Sequence, residues 1–240
     1  MKKTLLALAG ASLLSVSAQA EQFWADNSVS VLYGSTYAEP IDFTDLDKDY
    51  SYSTMTLEHV SGHSWGGLFY FMDSHTGDGF NDTYFEFSPK FTLAKMDGMV
   101  SAVNAEFTYE GGNGFDNYLA GVGVDLKVPG MDFASVIFYR ALNDKAERGE
   151  DNDDNQITLV YGYTNGNVVV DGFLDYAFGS DDDSVEDSMN FTPQITYNLA
   201  PQLGFKNKFK VGVEYSYWTS KYGIDGLDQN AISLLLKAHL

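Results

Sequence analysis

The sequence predicts a transmembrane antiparallel β-barrel of 12 strands. Three observations carry this prediction: segments of about ten residues that alternate apolar and polar, gaps that are alternately short and long, and an N-terminal export signal. Alternation of this kind indicates a strand with two different environments. Since every backbone polar group must be paired in hydrocarbon, strands that cross a membrane have to close on themselves.

The first 20 residues have the composition of a secretory signal peptide. The charged pair Lys2-Lys3 precedes an apolar stretch from Leu5 to Val16, and small residues at Ala18–Ala20 form a cleavage site. The predicted organisation is a signal peptide at residues 1–20 and one barrel domain at residues 21–240. Export of a barrel implies the outer membrane of a Gram-negative cell.

The segment YFEFSPKFTL, which begins at Tyr84, illustrates the strand pattern. Its aromatic side carries Phe85 and Phe87, whereas Glu86 and Lys90 lie on the other side. We expect the aromatic side to face lipid and the charged side to face a watery lumen. The predicted strands lie near 27–35, 50–60, 65–73, 83–94, 99–110, 117–128, 132–142, 156–164, 167–179, 188–199, 207–219 and 230–240.

Two prolines interrupt the predicted strands on their lipid-facing side. Pro89 and Pro193 each forfeit a ladder hydrogen bond, so both are predicted to mark β-bulges. A soluble sandwich with proline-containing edge strands is the competing interpretation.

The gaps between strands separate into two kinds. Short turns are predicted near Gly62, Asp97-Gly98, Pro129-Gly130, Asn165-Gly166 and Pro201, and the Asn-Gly pair is a strong hairpin signal. Long loops are predicted at 36–49, 74–82, 111–116, 143–155, 180–187 and 220–229. With both termini on the short-turn side, we expect the long loops to face outside the cell.

Composition excludes several classes of function. Removing two signal-peptide lysines from 14 basic residues leaves 12 against 34 acidic residues, a net charge of −22, which repels nucleic acid. Without cysteine, the chain has neither disulfides nor thiolate metal sites. The acidic loops are either solvated surface or bridges through divalent cations to lipopolysaccharide phosphates. The loop sequence DNDDN lacks the glycine and distal glutamate of an EF-hand, so no metal or cofactor is predicted.

The pentapeptide GHSWG, residues 62–66, matches the G-x-S-x-G nucleophile elbow. That motif needs a helix after it, and the following GLFYFMD is a strand pattern, so a tight turn is predicted instead. A lipid-modifying barrel enzyme would need a serine, histidine and acid set at the lipid-facing rim, and no histidine occupies a clear position for one. No catalytic residue and no enzymatic activity are predicted.

Residues 65–96 resemble the Tsx-like nucleoside-specific channels of bacterial outer membranes, a family that includes the OmpK-type porins of Vibrio. The matching motif residues are Glu86, Pro89, Lys90, Phe91 and Lys95. The resemblance is close over roughly Val29 to Met96, and the chain departs from the pattern by its short length and by ending in Leu240 rather than an aromatic residue. The resemblance implies a barrel of 12 strands, passive nucleoside uptake and a role as a phage receptor.

A nucleoside-binding lumen would need aromatic faces for the base and polar groups for the ribose. The predicted substrate-binding residues are Tyr84, Glu86, Lys90, Glu106, Asp171, Phe173, Asp175, Glu214 and Trp218. The phase of Phe69 and Phe71 is ambiguous, as is that of FASVIFYR. The same residues could instead fill the lumen with salt bridges, giving a structural or receptor barrel with a plugged lumen. Along the barrel axis, lysines are expected in the half that contains the two termini, and acids in the half that carries the long loops. An acidic entrance of this kind would disfavour anions.

Overall fold

The computed structural model describes residues 21–240 except 78, 146–149 and 152, so the predicted signal peptide lies outside the described residues. The chain forms the predicted closed antiparallel barrel of 12 spanning strands, and an additional two-residue strand extends one hairpin. The strands are β1 (Gln22–Ala38), β2 (Asp49–His63), β3 (Gly66–Gly77), β4 (Phe80–Lys95), β5 (Val100–Gly112), β6 (Phe115–Leu126), β7 (Phe133–Lys145), β8 (Glu150–Asp151), β9 (Asp154–Asn165), β10 (Val168–Phe178), β11 (Ser188–Asn198), β12 (Phe209–Thr219) and β13 (Gln229–His239).

The barrel closes through the pairing of its first and last strands. Ser28 lies opposite His239 and Val31 opposite Leu236, while each other spanning strand pairs with its neighbours in the chain. Within the described residues, every spanning strand therefore has two partners, and none of them forms a sheet edge. We call the end where β1 begins and β13 finishes the near end, and the opposite end the far end.

The alternation in the sequence assigns the two faces of the wall. In β13, the side chains of Ile232 and Leu234 are 63% and 68% exposed on the outside. The alternate residues Ser233 and Leu235 point inward. The outside is therefore apolar, as a lipid-facing wall requires.

The predicted long loops at 74–82 and 111–116 consist mostly of strand residues at the far end, which corrects the sequence-based assignment. β3 runs to Gly77 and β4 starts at Phe80, while β5 runs to Gly112 and β6 starts at Phe115. At this end the strands are longer than the segments in which apolar and polar residues alternate. The backbone hydrogen bonding therefore continues through residues whose sequence does not show a strand pattern. Gly114 supplies the left-handed backbone of the second turn, with φ of 91°.

The predicted bulges at the prolines are wrong. The β3–β4 ladder continues through Leu68 opposite Pro89, and the β10–β11 ladder through Gly172 opposite Pro193, without a shift of register. Each proline is accommodated on its other side, where the ladder to the following strand omits the pairs at the proline and the residue before it. Register shifts occur elsewhere, in β1 between Gly34 and Tyr37 and near the β4–β5 turn.

The remaining elements are short. One-turn helix α1 (Ala200–Leu203) lies in the β11–β12 turn at the near end, and a 3-10 turn at Lys221–Gly223 lies in the β12–β13 loop at the far end. Within the part of the chain that the structure describes, no helix has both the length and the apolar character needed to cross a membrane.

Candidate functional site

All nine residues predicted to bind substrate lie on the inner face of the barrel wall. Lys90 is opposite Glu106, Phe71 is opposite Glu86, and Gln194 is opposite Glu214, which fixes the phase of each strand. The inward set on β4, β5, β10 and β12 comprises Tyr84, Glu86, Lys90, Glu106, Asp171, Phe173, Asp175, Glu214 and Trp218. Their role in binding stays a prediction, and the structure divides them among several clusters rather than one.

The first cluster is a group of carboxylates on the inner wall towards the far end, which we call the acidic belt. It consists of Asp73, Glu86, Glu110 and Asp175, from four different strands, and each of the other three carboxylates repels Glu86 electrostatically. Because these acids converge on one region of the lumen, they give it a negative potential.

Hydroxyl and amide donors hold the acidic belt in place. The Tyr84 hydroxyl donates to Glu86 Oε1 at 2.6 Å. The Asn117 side chain donates to Glu110 Oε2 at 3.1 Å, and the hydroxyl of Thr158 donates to Asp175 Oδ1 at 2.5 Å. These neutral donors orient the carboxylates of the belt.

Lysines enter the lumen near the other end of the strands. Lys90 Nζ is 3.0 Å from Asp125 Oδ1, and Lys237 Nζ is 2.9 Å from Glu58 Oε1. Lys210, opposite Lys237 in the β12–β13 ladder, is also buried there. The lysines lie in the expected half of the barrel. Acids lie at the same level, because Glu106 is opposite Lys90 in the β4–β5 ladder, so the expected separation of acids from lysines is incomplete.

An aromatic row of Phe69, Phe71, Tyr84 and Phe115 lies beside Glu86 on the inner wall. Successive ring centroids are 5.7, 5.7 and 6.2 Å apart. The sequence left Phe69 and Phe71 ambiguous because β3 is apolar on both faces, and it missed Phe115 because that residue falls in a predicted loop. Pairing of Phe71 with Glu86 settles the phase of β3.

The other predicted aromatic residues lie away from this row. Phe173 occupies β10 between Val160 and Thr192 of the flanking strands. Trp218 lies at the far mouth, where its indole N–H donates to Ser188 Oγ at 2.8 Å and its ring meets Tyr222 edge-on at 4.9 Å. Trp218 is therefore part of the mouth rather than of the central lumen.

A buried ion pair holds two loops together at the far mouth. Lys221 Nζ contacts Glu39 Oε1 at 2.9 Å, Gln229 Oε1 at 2.8 Å and the carbonyl oxygen of Ala38 at 2.8 Å. The two charged side chains are 3% and 4% exposed. Burial lowers the pKa of Lys221, and the Glu39 carboxylate opposes this shift.

The GHSWG segment forms the predicted tight turn, although the turn lies at residues 64–65 rather than at Gly62. Ser64 is exposed in that turn. In the neighbouring serine, Ser61, the hydroxyl oxygen is hydrogen-bonded to His59 Nε2 and to His63 Nε2, each at 2.9 Å. Histidines are thus present at the outer rim, where the sequence indicated no clear position for one.

Across the described ranges, no three histidine, aspartate or glutamate side chains are grouped as metal ligands would be. The carboxylates of the belt are held by hydroxyl and amide donors, and those at the near end by lysines.

The fold and the charged inner face define the class of this protein as a porin-like β-barrel. The chain belongs to the family described as Domain of unknown function (DUF5020), whose model matches residues 36–227. No curated protein matches the chain.

Solved porin structures share the fold. The NanC porin structure has a TM-score of 0.61 at 14% identity, with 88% of this chain and 100% of that chain covered. A KdgM porin in complex with disordered oligogalacturonate has a TM-score of 0.51 at 13% identity, covering 88% and 98%. A second KdgM porin structure has a TM-score of 0.51 at 12% identity, covering 90% and 98%. The resemblance to Tsx-like channels stays a prediction.

Proposed function

We propose that the protein is an outer-membrane channel for passive, selective uptake of small uncharged solutes, nucleosides first. The single observation that carries the proposal is the aromatic row beside Glu86 on the inner wall. A flat base can stack on these rings while a carboxylate accepts hydrogen bonds from ribose hydroxyls.

The strength of such contacts suits a channel. Stacking of a base on an aromatic side chain is worth roughly 1–3 kcal/mol. A millimolar dissociation constant corresponds to about 4 kcal/mol, so one stacked base with one or two hydrogen bonds gives weak, transient occupancy. A solute held at this strength is selected from the medium and still released at the other side.

The charge of the lumen favours neutral or cationic solutes over anions. Glu86, Glu110, Asp175 and Asp73 lie together on the inner wall, and neutral donors orient Glu86, Glu110 and Asp175. The oligogalacturonate bound by the KdgM porin is a polyanion, and the acidic belt would repel such a ligand. We therefore assign a different solute chemistry to this chain.

Planar-bilayer recording tests the proposal. The reconstituted protein should conduct, and added adenosine or uridine should reduce the current. Phe71→Ala should weaken this block about tenfold, the equivalent of about 1.4 kcal/mol of lost stacking. Phe87→Ala is the matched control, because Phe87 lies in β4 on the outer face and should leave the block unchanged.

Two results would contradict separate parts of the proposal. A silent bilayer would remove the channel function. A conducting pore that nucleosides leave unblocked, while another solute blocks it, would remove the nucleoside assignment.

A receptor barrel with a closed lumen is the second candidate. It is favoured by the Lys221–Glu39 pair, which draws the β12–β13 loop onto the far mouth. In that case the acidic loop at 180–187 would be the surface that a phage or lipopolysaccharide-bound cations contact, and the bilayer would stay silent while phage adsorption depended on that loop.

A further inference from the structure

Four polar side chains, those of Asn27, His59, Ser61 and His63, form a cluster on the outer face of the barrel. The cluster lies close to the end where β1 begins. The alternation of β2 places His59, Ser61 and His63 on the same side as the exposed side chain of Leu57. Asn27 of β1 lies opposite His59 in the ladder. Polar residues on an apolar outer wall need partners, and these four satisfy one another.

Their hydrogen bonds form one continuous chain. His59 Nδ1 is 2.8 Å from Asn27 Oδ1, and His59 Nε2 is 2.9 Å from Ser61 Oγ. His63 Nε2 is also 2.9 Å from Ser61 Oγ. One set of protons satisfies every contact: His59 Nδ1–H donates to Asn27, the Ser61 hydroxyl donates to His59 Nε2, and His63 Nε2–H donates to Ser61 Oγ.

The sequence of hydrogen bonds from Asn27 through His59 to Ser61 is the one found around an activated serine nucleophile. A hydroxyl donates to the free nitrogen of an imidazole, and the other imidazole nitrogen is fixed by a side-chain oxygen, here an amide rather than a carboxylate. Asn27 selects the tautomer in which His59 Nε2 is free to accept a proton, which makes Asn27 a positioning residue.

The surroundings indicate the class of substrate. The Tyr70 ring stacks on His59 with centroids 4.6 Å apart, and the Trp65 ring stacks on His63 at 5.0 Å. The outer wall beside them continues with exposed Leu57 and Met55. Acyl chains in a membrane would lie along this wall, with their ester groups near its rim.

We propose that Ser61, His59 and Asn27 form an ester-hydrolysing site at the lipid-facing rim, acting on acyl esters of membrane lipids. Ser61 Oγ attacks the ester carbonyl carbon while its proton passes to His59 Nε2. The carbon–oxygen bond to the alcohol breaks, and that proton passes to the departing alkoxide. Water then hydrolyses the acyl-serine, with His59 taking and returning a proton, so the net reaction converts ester and water to acid and alcohol.

Access to the nucleophile requires one imidazole to turn. Ser61 is 2% exposed beneath the two histidines. We assign this movement to His63, because it is the last residue of β2 and borders the turn at residues 64–65.

Labelling with a fluorophosphonate probe tests the site on the folded protein in detergent. The wild type should be labelled, and peptide mapping should place the adduct on Ser61. Ser61→Ala and His59→Ala should reduce labelling at least tenfold. Ser64→Ala is the matched control, since Ser64 is an exposed serine in the adjoining turn, and it should label as the wild type does.

Asn27→Asp separates positioning from a purely structural role. A carboxylate beside the imidazole favours the charged form, so the acid limb of the labelling-rate profile should move to higher pH while the adduct stays on Ser61. Mixed micelles of dioleoylphosphatidylethanolamine should release oleate with the wild type and not with Ser61→Ala.

The proposal is overturned if the folded wild type is unlabelled or if its adduct maps to another residue. Labelling without oleate release would overturn the lipid-ester assignment. Mapping on the wild type does not depend on whether a variant folds, and pore conductance reports the lumen separately from this rim site.

Discussion

Lys221 and Glu39 place two opposite charges almost wholly out of water at the far mouth. The Lys221 ammonium also lies 5.1 Å from the ring centroid of Trp218 and 5.0 Å from that of Tyr222, so aromatic faces complete its surroundings. Ser220 and Tyr222 adopt left-handed backbone conformations, with φ of 44° and 59°. Such residues each cost of order 1–3 kcal/mol and persist only where contacts hold them.

Removing one charge of this pair should destabilise the barrel strongly. Lys221→Met leaves the Glu39 carboxylate buried without its partner, and we expect a loss of about 3–5 kcal/mol in the free energy of unfolding. The double variant Lys221→Met/Glu39→Gln removes both charges and should recover most of that loss. Urea unfolding in detergent micelles measures both.

Lys206→Met is the control for this experiment, because Lys206 is exposed and should change stability by no more than about 0.5 kcal/mol. Equal losses in the single and double variants would contradict the assignment of the effect to an unpaired buried charge.

Residue-scale contacts of this kind could not be predicted from the sequence. Lys221 lies in a polar stretch that is typical of a solvated loop, and its partner Glu39 is 182 residues away. The rim serine is different, because HVSGH already carries histidine, serine and histidine at a period of two. That spacing puts three polar side chains on one face of a strand and could have indicated the site.

At the scale of strands, the alternation was sufficient to predict the number of elements and most of their faces. β11, β12 and β13 have the inward and outward residues that the pattern predicts, because one face of each is polar. β3 and the FASVIFYR segment of β7 were ambiguous because apolar residues occupy both faces. In β7, Ile137 and Tyr139 are buried inside against Leu119, so an inner apolar cluster removes the contrast on which the prediction depends.

Glycines on the inner face allow neighbouring strands to approach closely. A Cβ at Gly212 of β12 would overlap the carbonyl oxygen of Ile195 in β11. Gly212→Ala should therefore force the two backbones apart and lower the free energy of unfolding by about 1–3 kcal/mol. The temperature at which the folded form is lost on electrophoresis would fall accordingly.

Gly67→Ala is the matched control, because a Cβ there would meet its nearest neighbour, the Ser61 carbonyl oxygen, at 3.5 Å, an ordinary contact. If Gly67→Ala and Gly212→Ala had the same effect, close approach of β11 and β12 would not be the cause.

For the molecule as a whole, the arrangement of charge decides which solutes the lumen favours. Net charge alone could be predicted from composition, but not that Asp73, Glu86, Glu110 and Asp175 converge from four strands. Three of these acids lie on strands whose far ends were predicted as loops, and the shear of a barrel brings distant positions to one level. From this arrangement we predict a lumen that favours cations over anions and does not repel neutral solutes.

Single-channel recording across a potassium chloride gradient tests the central claim most directly. The account predicts an open pore whose reversal potential has the sign of potassium selectivity, and a shift towards zero in the variant Glu86→Gln/Glu110→Gln, which removes two charges of the acidic belt. A pore that selects chloride, or a folded barrel that carries no current, would contradict it.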